Sequence, residues 1–382
     1  MKYNHIDFLR FLIRGNKTFF DVPQEHQAFF LHSLGTPRND IERSYFQYCC
    51  QNFFAPKWKP ILLDIVSLIF YIPAIIILLL MGLRIRKKRH IDALTIDLKG
   101  MEEIIPDVLS DSYDISFNKW SIKGGLRIGD FPYLMQIFFS HAFSGYFSLK
   151  SMVKIAQYSE IISMYSPKCI IAHSEYSFSS SILTEYCEKR GVKHINVQHG
   201  EKLFNIVDAF FRFDECFVWS QHYVKLFTDL RAEPSQFKVS LPPSMKIDLS
   251  AHKNESVWAD YKYYLANFLE SQIKGIVESL SFVKKTGKTV KYRIHPRHQN
   301  LELLLKYVQS DDIEYPNEVS IVDSIANCNY VVGSYSTVLN QAFCSGRSVL
   351  LDDVTFKDQY ERLADLRYWL IGENCPRLSE MQ

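Results

Sequence analysis

The sequence predicts an α/β protein with two parallel-sheet domains, because short apolar strand patterns alternate with helical stretches in two separate parts of the chain. Two stretches carry the prediction. In the first, residues 168–173 and 192–197 read as buried strands separated by one helix, and each strand runs into polar or imidazole groups. In the second, residues 289–353 pass through a strand with a basic end, a helix, an apolar strand, a hydroxyl-rich turn, a helix and a further strand. With 382 residues, 47% apolar and 14% aromatic, the chain is long enough for two full cores.

Composition narrows the function classes. A formal net charge of +2 gives no global case for nucleic acid as a partner. The eight cysteines, at 49, 50, 169, 187, 216, 328, 344 and 375, form no C-x-x-C pair and fall in apolar patterns, so free thiols in a reducing compartment are expected. Asp7 and Arg10 interrupt the first apolar run, which is therefore not read as a signal peptide.

Taken in order, residues 1–59 read as a small helical region, with helix-like spacing over 39–54 after Pro37. Residues 60–90 form a membrane-associating segment: 61–83 are almost wholly apolar, and Arg84-Ile-Arg-Lys-Lys-Arg-His90 follows. At ~1.5 Å per residue a continuous helix of this length reaches across a hydrocarbon core of ~30 Å. Pro73 equally permits a bent, re-entrant or shallow helix, and Lys57 and Lys59 place positive charge on the other flank too. The basic run suits anionic headgroups, at ~1 kcal/mol for each residue near the surface.

Residues 91–236 are expected to form the first Rossmann-like domain. Strands are expected at 93–98, 113–117, 168–173, 192–197 and 215–219, with helices over 101–109, 131–165, 179–190 and 221–230. Gly191 stands where a glycine usually follows a helix end. The second domain, 237–382, is expected to begin with a link through Pro242-Pro243 and a long helix over 261–285.

Ligands of such sheets sit outside the carboxyl ends of the strands. His295, Arg297, Ser334, Ser336 and Thr337 fall there, and the turn at Gly333 opens a helix whose first N–H groups can face an anion. Period-two spacing puts Lys291, Arg293 and His295 on one strand face, expected to face a cleft. The first domain presents His173, Glu175, His199 and Glu201 at two consecutive strand ends, and Glu175 and His199 are the leading candidates for a general base. A metal is not expected: Asp311-Asp312 and Asp352-Asp353 are adjacent pairs with no histidine at ligand spacing. A dinucleotide cofactor is not expected either, as no G-x-G-x-x-G follows a strand.

Gln198-His-Gly-Glu201, Arg293-Ile-His-Pro-Arg297, Gly333-Ser-Tyr-Ser-Thr337, Ala342-Phe-Cys-Ser-Gly346 and Val349-Leu-Leu-Asp352 together resemble bacterial surface-polysaccharide glycosyltransferases of the GT-B fold. The resemblance covers about half of the chain and implies two Rossmann-like domains facing a cleft. Sialyl- and Kdo-transferases share a His-Pro motif and a downstream hydroxyl motif for the CMP part of the donor, which fall here on His295-Pro296 and Ser334 to Thr337. Their acidic pair followed by glycine is absent from this sequence. The glycerophosphate polymerases of teichoic acid synthesis are similar too, and their histidine falls on His199.

The resemblance implies a hexosyl- or keto-sugar transferase acting at the cytoplasmic face of the inner membrane. It would move a sugar from a nucleotide-sugar substrate, with no separate cofactor, to a lipid-linked glycan acceptor in capsule, O-antigen or lipopolysaccharide synthesis. Arg293, His295, Arg297, Ser334, Ser336 and Thr337 would bind the donor, and Glu175, His199 and Glu201 would serve catalysis. A polyol-phosphate transferase on the same scaffold and a non-catalytic docking subunit of an assembly complex are the alternatives; a GT-B-fold sugar epimerase is a third, against which the membrane segment argues.

Overall fold

The structure is a computed structural model that describes residues 18–84, 88–96, 98, 100–117, 124–296 and 301–381. It divides into two compact units: residues up to His199 with Phe204–Ser240, and Gly200–Leu203 with the chain from Leu241 onward.

In the N-terminal unit, three helices, α1 (Gln24–Ser33), α2 (Asp40–Phe53) and α3 (Trp58–Gly82), precede the sheet. There follow β1 (Ala93–Thr95), α4 (Asp107–Ser112), β2 (Ile115–Phe117), α5 (Phe131–Ser140), α6 (Gly145–Tyr165) and β3 (Cys169–Ala172). The unit ends with α7 (Ser180–Glu188), β4 (Lys193–Val197), β5 (Glu215–Val218), α8 (Gln221–Asp229) and β6 (Phe237–Val239). The six strands are all parallel, in the order β2-β1-β3-β4-β5-β6.

Strand alternation sorts the apolar side chains into two layers. Leu94 and Ile170 pack with Phe147 and Ile155 of α6 and Ile182 of α7, whereas Ala93, Cys169 and Ile171 pack with Leu109 of α4. Local signals set the helix ends. The Asn39 carboxamide accepts from the Glu42 N–H at 2.9 Å to start α2, and Gly191 takes the left-handed conformation (φ 68°) past the end of α7. His194 is fully buried, its ring nitrogens each 2.9 Å from a hydroxyl, of Tyr158 and of Thr184. Burial pushes this imidazole down to about 3, so it is a neutral core group.

The apolar segment is one unbroken helix, α3, with Pro73 inside it. Its inward side chains recur at helical spacing: Ser67, Tyr71, Ala74, Leu78 and Gly82 are buried or half-buried, while Ile65, Ile69, Ile72, Ile76 and Leu80 are exposed. The inner stripe lies along α6. At one end Asp64 accepts from the Tyr146 N–H at 2.9 Å; Gly145 sits so close that a Cβ would come within 2.3 Å of the Asp64 carbonyl oxygen. At the other end Leu78 accepts from the Leu126 N–H at 2.9 Å, and the Gly125 N–H bonds Ala156 of α6 at 3.1 Å. Beyond α3, the Arg89 and Ile91 N–H groups bond the carbonyls of Met164 and Tyr165. The two helices therefore run side by side, in the same direction, from Asp64 of α3 onward. Residues 85–87 of the basic run lie outside the described residues; Arg84, Lys88, Arg89 and His90 are exposed.

The C-terminal unit contains β7 (Ala259–Tyr264), α9 (Glu270–Ser279), α10 (Ser281–Lys285), β8 (Val290–Arg293), α11 (Leu301–Leu304) and β9 (Ile313–Glu314). It continues through α12 (Ile321–Ala326), β10 (Cys328–Gly333), α13 (Thr337–Cys344), β11 (Ser348–Leu351), α14 (Lys357–Asp365) and α15 (Trp369–Gly372). Its five strands are parallel, in the order β11-β10-β7-β8-β9. The long helix expected over 261–285 is corrected here: residues 259–264 are the central strand, and the helical part is two pieces, α9 and α10. The charged Lys262 in that strand masked its apolar pattern. In the fold Lys262 is completely buried, and its ammonium meets Glu314 at 2.6 Å. All eight cysteines are unpaired.

Candidate functional site

The second sheet reverses its build direction beside β7. From β7 the chain adds β8 and β9 on one side, then crosses to lay β10 and β11 on the other. A crevice outside the carboxyl ends at such a reversal is the general ligand position of open parallel sheets. A cavity of about 440 Å³ lies there, bounded by Tyr264, Leu265, Ala266 and Phe268 at the end of β7, Arg293 to Pro296 at the end of β8, and Ser334 to Val338 after β10. This volume falls in the usual range for small-molecule sites.

Four of the expected donor-binding residues, His295, Ser334, Ser336 and Thr337, line this cavity. Ser336 is in extended backbone at the start of α13, and its side chain makes no bond to the helix. Its Oγ is buried and has no hydrogen-bond partner among the described residues. A buried polar atom of this kind is stabilised by a ligand that hydrogen-bonds to it. The α13 N-terminus adds amide donors and the positive end of its dipole, while Phe268 and Ile294 supply apolar wall. The combination suits an anionic group attached to a flat or apolar one.

Arg293 also borders the cavity, but its guanidinium is committed elsewhere, which corrects the expectation of a strand face open to ligand. One of its nitrogens meets Glu314 at 2.6 Å and another donates to the Val319 carbonyl at 2.9 Å, with the side chain 5% exposed. Glu314 also accepts from the Ser324 hydroxyl, and Ser324 lies 2.8 Å from the Tyr264 hydroxyl. Arg293 thus holds the floor of the cavity in place rather than presenting a free cation. Lys291, on the same face, donates to the Asp311 carbonyl. Arg297 lies outside the described residues.

In the N-terminal unit, β3 and β4 deliver the expected residues to their carboxyl ends, but to different depths. His199 is exposed, its ring 5.4 Å from that of His173 in an edge-on arrangement. Glu175 is not at the rim as expected: it is 2% exposed, and Asn196 donates to its carboxylate at 3.2 Å. Asn196 also accepts from the Ser174 N–H at 2.8 Å, and Gln47 of α2 donates to the Glu175 carbonyl at 2.7 Å. Glu175 therefore ties the β3 loop to β4 and α2. Glu201, expected in the first domain, belongs to the C-terminal unit, where Asn340 of α13 donates to its carboxylate.

Asp352 is likewise internal: it accepts from the Tyr263 hydroxyl at 2.7 Å and the Thr355 N–H at 2.8 Å, and burial raises its carboxyl above the usual range. Among the described residues no group of three or more His, Cys, Asp or Glu side chains is placed to hold a metal ion. Sequence reasoning missed Trp219 and Ser220 at the carboxyl end of β5, whose buried Nε1 and Oγ have no partner among the described residues. It also missed Lys150 and Lys154 of α6, which line a cavity of the N-terminal unit.

No family model matches the chain and no curated protein matches it. Among solved structures it is similar to the glycotransferase of kitacinnamycin, at 10% identity over 76% of this chain and 86% of that one, with a TM-score of 0.46. It is similar also to a putative UDP-N-acetylglucosamine 2-epimerase from Listeria monocytogenes, at 14% identity over 71% of this chain and 82% of that one, TM-score 0.44. A third is Anabaena HepE in complex with UDP and glucose, at 10% identity over 76% of this chain and 97% of that one, TM-score 0.41.

Proposed function

We propose that this chain is a membrane-bound glycosyltransferase. In this reading it moves a sugar from a nucleotide donor to a lipid-linked glycan acceptor in bacterial surface-polysaccharide synthesis, at the cytoplasmic face of the inner membrane. The observation that carries the reading is the cavity at the strand reversal of the second sheet, where His295, the orphaned Ser336 hydroxyl and the α13 N-terminus converge. The leaving group of such a transfer is a nucleotide phosphate, and preorganised donors that meet its developing charge are worth roughly a few kcal/mol each. His199 is the base in this account, because it is accessible at its strand end where Glu175 is not. Detergent-purified protein given a panel of nucleotide sugars and a short-chain polyprenyl-phosphate glycan tests it. The expected product is a lipid glycan heavier by one sugar with no added phosphorus; an added phosphodiester would instead establish polyol-phosphate transfer.

The membrane half of the reading rests on α3, whose outer face exposes Ile61, Ile65, Ile69, Ile72, Ile76 and Leu80 in a continuous apolar band. Such a band on a soluble surface is unfavourable at ~25 cal/mol per Å² of apolar area. Yet α3 is docked at both ends to α6, whose opposite face packs on the sheet. A helix crossing the bilayer would carry α6 and the sheet into the hydrocarbon with it. We therefore read α3 as lying in one leaflet, its outer face in the acyl chains. Single cysteines replacing Lys57 and Lys88 are expected to be labelled by a membrane-impermeant reagent from the cytoplasmic side only. Labelling of the two from opposite sides would show a spanning helix and contradict the docked geometry.

A further inference from the structure

A second cavity, of about 260 Å³, lies in the N-terminal unit, and it too sits at a strand reversal. β2 lies on one side of β1, and β3 with all later strands lies on the other. The cavity is bounded by Ile96 beyond β1, by His173, Ser174, Ser177 and Ser179 beyond β3, and by Lys150 and Lys154 of α6. Its position is therefore the general ligand position of the first sheet.

The charge of this cavity is one-sided. Lys150 and Lys154 are one helical turn apart and face the same way. Among the described residues no ion pair involves either lysine, and the Lys150 ammonium rests 4.2 Å from the centre of the Phe178 ring. Burial, and then the neighbouring Lys154, lower the Lys150 ammonium to about 8. Two cations side by side in a concave, partly desolvated wall are unfavourable until an anion meets them.

The opposite wall offers donors of the right kind. The Ser177 and Ser179 hydroxyls are 2.9 Å apart, at the loop that opens α7. Hydroxyls and ammonium groups together match the oxygens of a phosphoryl group. The volume is small for a nucleotide sugar and sufficient for a phosphate or diphosphate with part of what it carries.

From these observations we propose that the cavity binds the phosphate or diphosphate of the acceptor, the anionic link between its lipid and its first sugar. The word acceptor rests on the glycosyl-transfer reading; the phosphate site itself does not. Lys150 lies five residues beyond Gly145, ~7.5 Å along α6 from the point where Asp64 of α3 clamps that helix. The site thus lies close to the proposed lipid-facing helix, which favours a lipid-borne phosphate over a soluble one.

The test uses the full chain in detergent with three probes: dioctanoyl phosphatidic acid, dioctanoylglycerol and inorganic pyrophosphate. The paired variant Lys150→Met with Lys154→Met removes both charges while keeping most of the apolar stems. Phosphatidic acid is expected to bind saturably and dioctanoylglycerol not to bind, and the paired variant is expected to bind the phosphate probe at least tenfold more weakly. Lys150→Arg with Lys154→Arg is expected to keep most of the binding. Saturable pyrophosphate binding as tight as that of phosphatidic acid supports the site but assigns it to a soluble phosphate. Equal affinity in the paired Met variant, or equal binding of dioctanoylglycerol, overturns the proposal. Nucleotide binding by the C-terminal unit is measured in the same samples: its loss in wild type with phosphate binding intact would defeat the glycosyl-transfer reading and leave this site standing.

Discussion

Replacing Glu314 by glutamine is expected to destabilise the C-terminal unit by about 3–5 kcal/mol, the usual effect of removing one partner from a buried ion pair. Among the described residues Glu314 is the carboxylate paired with two buried cations, Lys262 and Arg293, each at 2.6 Å. The neutral amide leaves both charges without a counter-ion in the sheet. Arg293 would then relax away from the floor of the cavity, so nucleotide affinity should fall along with stability. Lys262→Met is the informative contrast, because it leaves Glu314 matched one-to-one with Arg293 and puts an apolar chain in an enclosed place. That variant should shift the calorimetric transition of this unit far less. If the glutamine variant melts with wild type, the cluster is solvated or re-paired, and Arg293 has no positioning role.

The second large effect is on turnover. His199→Ala is expected to slow sugar transfer by about 10²–10⁴-fold, the usual contribution of a positioned general base. Donor binding should stay unchanged, because His199 is not among the residues that line the cavity around His295. A structural role for His199 would lower stability or binding instead. The pH–rate profile separates the cases: the limb due to imidazole protonation should vanish in the alanine variant. Glu175→Gln should act through stability, as its carboxylate accepts from Asn196 of β4. Full turnover by His199→Ala would pass the base to another group and remove the main catalytic claim for the N-terminal unit.

The elements legible in the sequence were those whose apolar runs are short and cleanly bounded. β3, β4 and β5 are expected from the sequence within a residue or two of where they stand, because each apolar run is closed by polar groups, at His173, Gln198 and Ser220. The hydroxyl turn at Ser334 to Thr337 and His295 were legible for the same reason: strand ends point to ligand positions. β7 was not legible, since Lys262 is tolerable in a central strand only through Glu314, fifty-two residues away. Depth at the rim was also hidden. Nothing local distinguishes Glu175 from His199; the difference is made by Asn196 and Gln47, from two other elements. α3 shows both sides of the matter. Its apolar length was plain, whereas its docking along α6 depends on Gly145, Gly125 and Gly82, whose meaning is contact and not composition.

The most direct measurement is the binding of CMP, UDP, GDP and CDP to the full chain in detergent, beside His295→Ala and Ser336→Val. The account predicts that one nucleotide raises the melting temperature of the C-terminal unit, by an amount equivalent to about 2.7 kcal/mol at a hundred times its Kd. It predicts that both substitutions reduce this shift. A folded protein that none of the four stabilises, or one that both variants bind as tightly as wild type, would contradict a nucleotide-donor site at this cavity.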